Sequence, residues 1–316
     1  MTVRAPFCLR AQNIPANTTR MNTRLLSTLA ALLCVTTLHA QNLTGDEALS
    51  KVLVDGEGWQ EIGSGYGFTD GACGDAEGNF YFSDLPKATL HKVTPDGKVS
   101  VFLENGPKVS GMKFGPEGRL YAATQGPKKQ VIAIALPSKE ISVIADNVQP
   151  NDLAVSKHGF VYFTDTGKGS VVGVEVKSGK VFTAATNIIA PNGIALSPDG
   201  GTLAVSEYRG TNVWTFRVNA DGKLDGGART MTLSTPAQGP SAGDGMCADA
   251  ASHYYVTSAV GIQIFDATGR ASGVIAKPQN KGIVSCGFGG EHLYVCNSDK
   301  VFRRKTQAKG AWLFGK

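Results

Sequence analysis

The sequence predicts an all-β protein, a six-bladed β-propeller whose four-stranded blades surround a central channel. The first observation is a β-hairpin pattern at residues 150–165, PNDLAVSKHGFVYFTD, in which two apolar runs flank a glycine-bearing turn. The second is that this pattern occurs six times along the chain. The third is its period of about 40 residues, which is typical of a propeller blade.

The six copies keep a close register. Each copy starts at a residue that we call its anchor, and a tyrosine (once Ala204) follows 11 or 12 residues later. The anchors are Asp70, Ser110, Asn151, Asn192, Asp244 and Ile283. Successive anchors are 40, 41, 41, 52 and 39 residues apart. The alternative, a β-sandwich in which glycine turns recur by chance, does not explain so constant a register.

The first 40 residues are predicted to be a leader and not part of the propeller. A basic segment, Met21–Arg24, precedes the apolar run Leu25–Leu38, and Ala40 provides a small residue before a cleavage site. Residues 1–20 have the character of an upstream extension. Residues 41–316 are then a single propeller domain, and the protein is expected to be exported to the periplasm or secreted. The apolar run is too short to favour a membrane anchor.

Removing the leader changes the charge balance. The leader contains four arginines and no acidic residue, so 31 − 4 = 27 cationic residues remain against 26 acidic ones. A net charge of about +1 gives no support for binding to nucleic acid or to a membrane surface.

Four cysteines lie beyond the leader: Cys73, Cys247, Cys286 and Cys296. Three of them are three residues after an anchor, which favours small buried residues that pack between blades. Disulfide pairing stays open as an alternative, because an exported protein meets oxidising conditions.

The remaining strands follow in order. Val52–Val54 and Glu61-Ile62 precede the first anchor, and we expect this segment to supply the outer strand of blade six and so close the ring. Blades one to six continue through further apolar runs, such as Val131–Ile134 in blade two. Residues 224–243 are predicted to be an extra loop between blades four and five.

The anchors are candidates for a metal site. The first strand of each blade lines the channel of a propeller, so the six anchors should meet there. Four of them, Asp70, Asn151, Asn192 and Asp244, carry a carboxylate or an amide. Such oxygen ligands suit Ca²⁺, suit Mg²⁺ or Mn²⁺ less well, and suit Zn²⁺ poorly. The alternative is that these side chains only cap the start of each strand.

These motifs resemble the senescence-marker-protein (regucalcin)/gluconolactonase family of calcium-dependent six-bladed propellers. The resemblance extends over residues 41–316 and rests on segments that recur in that family: PNDLAV, PNGIALSPDGGTLAVSE, GDGMCADA and CGFGGEHLYV. It implies that Asn151, Asn192 and Asp244 hold the metal, and that the fourth ligand falls at Asp70. The chain departs from the family here, because Asp70-Gly71-Ala72 replaces a Glu-Gly-Pro motif. An arginine that some members have before the blade-three asparagine is also missing.

The resemblance implies a hydrolase that opens a small-molecule sugar lactone. Asp244 would act as general base or nucleophile, and Asp152 and Ser110 would support the metal ligands. Asp165 and Glu207 are predicted to be exposed acids at strand ends. Two alternatives remain open: hydrolysis of organophosphates or aryl esters, and a non-catalytic propeller that binds a ligand or a protein.

Overall fold

The computed structural model describes residues 47–314, which form six four-stranded antiparallel sheets. Each sheet contains one of the six repeats, so the predicted six-bladed β-propeller is confirmed. The predicted leader, residues 1–40, lies outside the described residues. Within residues 47–314 the structure has one short α-helix, α1 (Glu47–Ser50), and no helix long and apolar enough to cross a membrane.

The strands are numbered in chain order, and each blade has a first strand at the channel, two middle strands and an outer strand. The first strands are β2 (Thr69–Gly74), β6 (Lys108–Phe114), β10 (Leu153–Val155), β14 (Pro191–Leu196), β18 (Met246–Ala248) and β22 (Ser285–Gly289). The second strands are β3 (Phe80–Asp84), β7 (Leu120–Gln125), β11 (Phe160–Asp165), β15 (Thr202–Glu207), β19 (Tyr254–Ser258) and β23 (His292–Asn297). The third strands are β4 (Thr89–Val93), β8 (Val131–Ile134), β12 (Ser170–Glu175), β16 (Asn212–Val218), β20 (Gly261–Phe265) and β24 (Lys300–Lys305). The outer strands are β1 (Gln60–Ser64), β5 (Val99–Leu103), β9 (Ile141–Ala145), β13 (Val181–Ala185), β17 (Leu224–Thr232) and β21 (Ala271–Ile275).

Burial decreases from the channel to the rim. All five residues of β3 are buried, whereas three of the five residues of β9 are exposed. The inner strands are covered on both faces by neighbouring blades, so their sequences are almost continuously apolar or aromatic. The core therefore consists of layers between adjacent blades, each filled by side chains from two sheets.

The N-terminal segment closes the ring, as the sequence predicted. β1 pairs antiparallel with β24, with Gln60 opposite Arg303 and Ser64 opposite Lys300. Val52–Val54 forms no full strand, but Leu53 makes a single bridge to Thr306. This pairing gives blade six its fourth strand and covers an edge that would otherwise be open.

The predicted loop at residues 224–243 is wrong in its first half. Leu224–Thr232 is β17, a nine-residue outer strand that pairs with β16. Six consecutive residues of β17 are exposed, so these positions do not need apolar side chains and can be glycine or polar. An edge strand needs backbone pairing on one side only, so its side chains are little constrained. The composition of β17 therefore resembles that of a loop.

The C-terminal segment crosses the channel at the end opposite the anchors. Gly310 bridges to Asp249, and the Ala311 amide donates a hydrogen bond to the Ala248 carbonyl at 3.2 Å. Leu313 and Phe314 pack against the core layers of blades two to four. Between this segment and the inner strands lies a cavity of about 120 Å³.

We expect Leu53→Ala to lower the free energy of unfolding by about 2–5 kcal/mol, because Leu53 is fully buried in the core layer of blades five and six. Chemical denaturation would measure the change. Val143→Ala is the control, because Val143 is 54% exposed on β9. A loss for Leu53→Ala no larger than that of the control would show that the N-terminal segment contributes little to ring closure.

Candidate active site at the channel mouth

The anchors lie at one mouth of the channel. Asp70 and Asn192 are the second residues of β2 and β14, and Asn151 and Asp244 are two residues before β10 and β18. Successive inner strands run in the same direction around a propeller ring, so their starts share one face. The structure therefore brings together residues that are up to 174 positions apart (244 − 70).

A ring of hydrogen bonds between blades holds the backbone at this mouth. In each one, a hydroxyl or thiol of one blade donates to a carbonyl at the first strand of the next, and we call these bonds inter-blade latches. They are Ser83 to Val109 (2.6 Å), Ser110 to Asn151 (2.6 Å), Thr164 to Asn192 (2.6 Å), Ser206 to Asp244 (2.9 Å), Thr257 to Val284 (3.1 Å) and Cys296 to Asp70 (3.7 Å). Four of the six latches end on a predicted metal-site residue, so the backbone positions of these residues depend on the neighbouring blade.

The glycine that follows several anchors permits this close approach. A Cβ atom on Gly193 would lie 2.1 Å from the Asp244 carbonyl oxygen, and one on Gly111 would lie 2.4 Å from Asp152 Oδ1. Any larger residue would push the adjacent inner strands apart. The anchor-glycine pairs seen in the sequence thus have a packing role at the channel wall.

Three carboxylates from alternate blades face one another at the mouth. Asp70, Asp152 and Asp244 belong to blades one, three and five, and the charges of Asp70 and Asp152 both act on Asp244. Desolvation and these neighbouring charges raise the pKa of Asp244 well above its usual range. Burial, assisted by the charge of Asp152, raises the pKa of Asp70 to about 8 despite the hydrogen bond from the Gly71 amide. These carboxyl groups therefore resist ionisation while no cation is bound beside them.

Each carboxylate has its own supporting contacts. Asp70 Oδ1 accepts a hydrogen bond from the Gly71 amide at 2.8 Å, and the Ser285 hydroxyl also bonds this carboxylate. The Asn192 side chain bonds the Asp244 carboxylate. Asp152 Oδ1 accepts from the Leu153 amide at 2.8 Å, which turns Asp152 towards its own strand.

Lys113 is a site residue that the sequence reasoning missed. Its Nζ donates to the Ala72 carbonyl at 3.3 Å, across the junction of blades two and one. Burial is the largest single influence on the pKa of Lys113 and lowers it, but Asp152 together with Cys73, Cys247 and Cys286 acts in the opposite direction, and the net shift is upward. The signal was a lysine three residues after the Ser110 anchor, at a position that is small and apolar in every other blade.

The predicted metal ligands fit a hard divalent cation by their chemistry. Asp70 and Asp244 supply carboxylate oxygens, and Asn151 and Asn192 supply amide oxygens. Within residues 47–314, no group of three or more histidine, cysteine, aspartate or glutamate side chains is arranged to hold a metal ion. Asp70, Asp152 and Asp244 by themselves therefore do not form such a group.

Asp165 and Glu207 are buried, so the prediction that they are exposed is wrong. Glu207 Oε1 accepts from Trp214 Nε1 at 2.7 Å, and its other oxygen accepts from the amide and side chain of Asn212. Asp165 accepts from the Lys168 amide at 3.0 Å. Both acids tie loops to the ends of second strands. Buried loop amides need such acceptors, a requirement that strand periodicity does not show.

All four described cysteines are free thiols and buried, as the packing interpretation predicted. Cys247 Sγ and Cys286 Sγ are 3.6 Å apart across the junction of blades five and six. Burial raises the pKa of the Cys73 thiol to about 12, which keeps it in the unreactive protonated form.

Comparison with known proteins agrees with this fold. Residues 67–298 match the SMP-30/Gluconolactonase/LRE-like region. The chain is 29% identical over 292 residues to a gluconolactonase of Zymomonas mobilis, covering 79% of this chain and 81% of that protein. A gluconolactonase structure from Xanthomonas campestris has a TM-score of 0.70 at 22% identity and covers 83% of this chain and 93% of that chain. A calcium-binding regucalcin from Agrobacterium tumefaciens has a TM-score of 0.67 at 17% identity, with coverage of 81% and 96%.

We expect Thr164→Val to destabilise the protein by about 1–3 kcal/mol, because it removes a buried hydroxyl that donates to Asn192 and accepts from Asp152. Valine keeps the shape, so the loss reports the hydrogen bonds. Chemical denaturation measures it, with Thr183→Val on the exposed face of the same blade as control. Equal stability of the two variants would contradict a structural role for the latch.

Proposed function

We propose, from the premise that the chain belongs to the SMP-30/gluconolactonase/LRE-like family, that this protein is an exported lactonase that uses a divalent cation, with Ca²⁺ the best match. The observation that carries the proposal is that Asp70, Asn151, Asn192 and Asp244 all lie at the starts of inner strands, on one face of the ring. The named gluconolactonase relative supports a lactone as the substrate.

Asp70, Asn151, Asn192 and Asp244 would hold the cation. When bound, it would polarise the lactone carbonyl and lower the pKa of a water molecule. It would also relieve the repulsion among the carboxylates, which otherwise favours their protonation. Asp152 and Ser110 would support the metal ligands without contacting the ion. The Ser110 hydroxyl does so by donating a hydrogen bond to the Asn151 carbonyl at 2.6 Å.

Asp244 is the candidate general base. The Asn192 side chain bonds its carboxylate, and the Ser206 hydroxyl holds its backbone carbonyl at 2.9 Å, so its position is fixed by two neighbours. Asp244 would accept a proton from the water that attacks the lactone carbonyl carbon. The ring C–O bond then breaks, and the departing alkoxide takes that proton, which gives the open hydroxy acid and restores Asp244.

The rim of the mouth favours a second substrate class. Phe68, Ile189 and Tyr208 belong to loops at the anchor end of the channel and are 38%, 49% and 38% exposed. Apolar side chains at the entrance would contact an aryl or alkyl group better than a polyhydroxylated ring. Aryl esters, or lactones with an apolar substituent, are therefore the second candidate.

Hydrolysis of a substrate panel by the purified protein, with and without EDTA, tests the proposal. The panel includes an aldonolactone, an alkyl-substituted lactone and phenyl acetate. We expect lactone opening that EDTA abolishes and Ca²⁺ restores. Lactone opening unaffected by EDTA would contradict the role of the cation, and no turnover of any substrate would favour a non-catalytic binding propeller.

We expect Asp244→Asn to reduce lactone hydrolysis at least about 100-fold, because it removes both a charged ligand and the candidate base. Ca²⁺ affinity, measured by calorimetry, should fall as well. Asp225→Asn is the matched control, because Asp225 is an exposed acid on β17. Activity and affinity equal to those of the control would exclude Asp244 from the site.

Asp70 tests the departure from the family motif. Asp70→Asn should weaken Ca²⁺ binding about tenfold or more, because one formal charge is lost. Asp70→Glu should maintain or raise the affinity, because the longer side chain reaches further from the Gly71 amide that now holds the carboxylate. Calorimetry on both variants measures the Ca²⁺ affinity. If neither change alters the affinity, Asp70 only caps its strand.

A further inference from the structure

The junction of blades four and five lacks a side chain that helps to fill the other five junctions. The repeat places a tyrosine on the second strand of every blade except blade four, which has Ala204. Ala204 lies in the core layer between blades four and five, so the bulk of an aromatic ring is missing from that layer. In the other blades the tyrosine is buried in the layer that faces the next blade: Tyr81, Tyr121, Tyr162, Tyr255 and Tyr294.

The contacts of two of these tyrosines show where the missing ring would lie. In blade one the Tyr81 hydroxyl donates to Asp75 Oδ2 at 3.1 Å. In blade five the Tyr255 hydroxyl donates to Asp249 Oδ2 at 2.9 Å. Both acceptors come five residues after the anchor, a position that is Ser197 in blade four. Ser197 lines a groove on the face of the propeller opposite the anchors, where the ring of a tyrosine would otherwise reach.

This groove is large enough for a small molecule. Its volume is about 330 Å³, within the range of about 300–1,000 Å³ that is usual for ligand sites. A Cβ atom on Gly269 would lie 2.3 Å from the Thr230 carbonyl oxygen, so the turn between β20 and β21 packs closely against β17 and closes the outer wall. Tyr254 of blade five fills part of the space, and its hydroxyl bonds Ser197 across the junction. The rest of the groove remains open.

The lining of the groove differs from the core layer beneath it. Seven of its eleven residues carry a hydroxyl group, whereas the layer beneath contains apolar residues such as Val213 and Leu233. The hydroxyls of Thr202, Thr215 and Thr230 make no hydrogen bond to any residue between positions 47 and 314. Each threonine hydroxyl offers one donor and two acceptor positions. The groove therefore presents polar groups that a ligand can bind.

One carboxylate belongs to the lining. Asp199 Oδ1 accepts from the Gly201 amide at 2.9 Å and from the Ser197 hydroxyl, and these bonds fix the side chain. Asp199 Oδ2 accepts no hydrogen bond from the described part of the chain, so it can accept one from a ligand hydroxyl. The Lys157 ammonium donates to the Asp199 carbonyl and offsets the charge of the carboxylate. The groove therefore favours a neutral ligand over an ion.

We infer that this groove binds a neutral polyhydroxylated molecule of the size of a monosaccharide. The hydroxyls of a sugar both donate and accept, as the threonine hydroxyls do, and they can donate to the free oxygen of Asp199. A phenol would fit the space but would leave most of these polar groups unmatched, which costs free energy. The groove lies on the opposite face of the ring from the candidate active site, and the inference does not depend on lactonase activity.

Saturation-transfer NMR on the full-length protein tests the inference. The probes are D-glucose, D-galactose, D-mannose and D-xylose, with phenol as the apolar comparison. We expect at least one sugar to give a saturable signal. Ala204→Tyr restores the tyrosine of the repeat and should abolish that signal, because the new ring would occupy the groove.

Two single variants probe the polar lining. Thr215→Val keeps the shape, removes one free hydroxyl and should raise the dissociation constant of the sugar about threefold or more. Asp199→Asn removes the charged acceptor and should raise it about tenfold. Thr183→Val, at an exposed threonine of blade three, is the matched control and should leave the constant unchanged. Circular dichroism establishes that each variant is folded, and the two single variants keep the test decisive if Ala204→Tyr does not fold.

Three results would overturn the inference. Sugar binding that neither Thr215→Val nor Asp199→Asn weakens would place the sugar elsewhere on the protein. Absence of a signal from all four sugars would show that the groove does not take this class of ligand, and so would binding of phenol alone. None of these results bears on the proposed lactonase, which the Asp244→Asn variant tests separately.

Discussion

The inter-blade latch is the interaction on which the geometry of this protein depends. A propeller blade is a small sheet with little contact to any but its two neighbours, so ring geometry must be transmitted from one junction to the next. Here each junction has a buried donor that reaches a carbonyl of the following first strand. These acceptors belong to anchors or adjoin them. The same bonds that hold the ring together therefore also place the candidate site.

The junction of blades six and one differs from the others. Its donor is the Cys296 thiol, 3.7 Å from the Asp70 carbonyl, whereas the hydroxyl latches measure 2.6–3.1 Å. A thiol is a weaker donor than a hydroxyl. The pairing of β1 with β24 that closes the ring lies in blade six, next to this junction. Asp70 is fixed instead through its side chain, by the Gly71 amide and the Ser285 hydroxyl, so contacts of the carboxylate substitute for a strong backbone latch.

The sequence predicts most of the fold because the turns and anchors recur with a nearly constant period. Strand boundaries such as those of β8 (Val131–Ile134) follow from apolar runs between glycine turns. The exposed outer strand β17 was missed because it needs only backbone pairing, which leaves its composition unconstrained. Glu207 was misplaced because its burial depends on two donors of the adjacent strand β16, the Asn212 amide and the Trp214 indole, which the strand pattern of β15 does not show. Lys113 was missed because a single residue in one repeat has meaning only when all six repeats are aligned in space.

The site combines a rigid backbone with electrostatic repulsion between carboxyl groups. Three carboxylates held by latched strands cannot move apart, so desolvation and repulsion raise the pKa values of Asp70 and Asp244 instead. A flexible mouth would relax by letting the acids reach solvent, and would then lose the convergence that a cation requires. Gly193 lets the adjacent strand lie where a side chain would otherwise be, so the two inner strands stay in close contact. The proposed cation site and the fold thus depend on the same strands, since the hydrogen bonds that hold the ring together also keep these carboxyl groups in place.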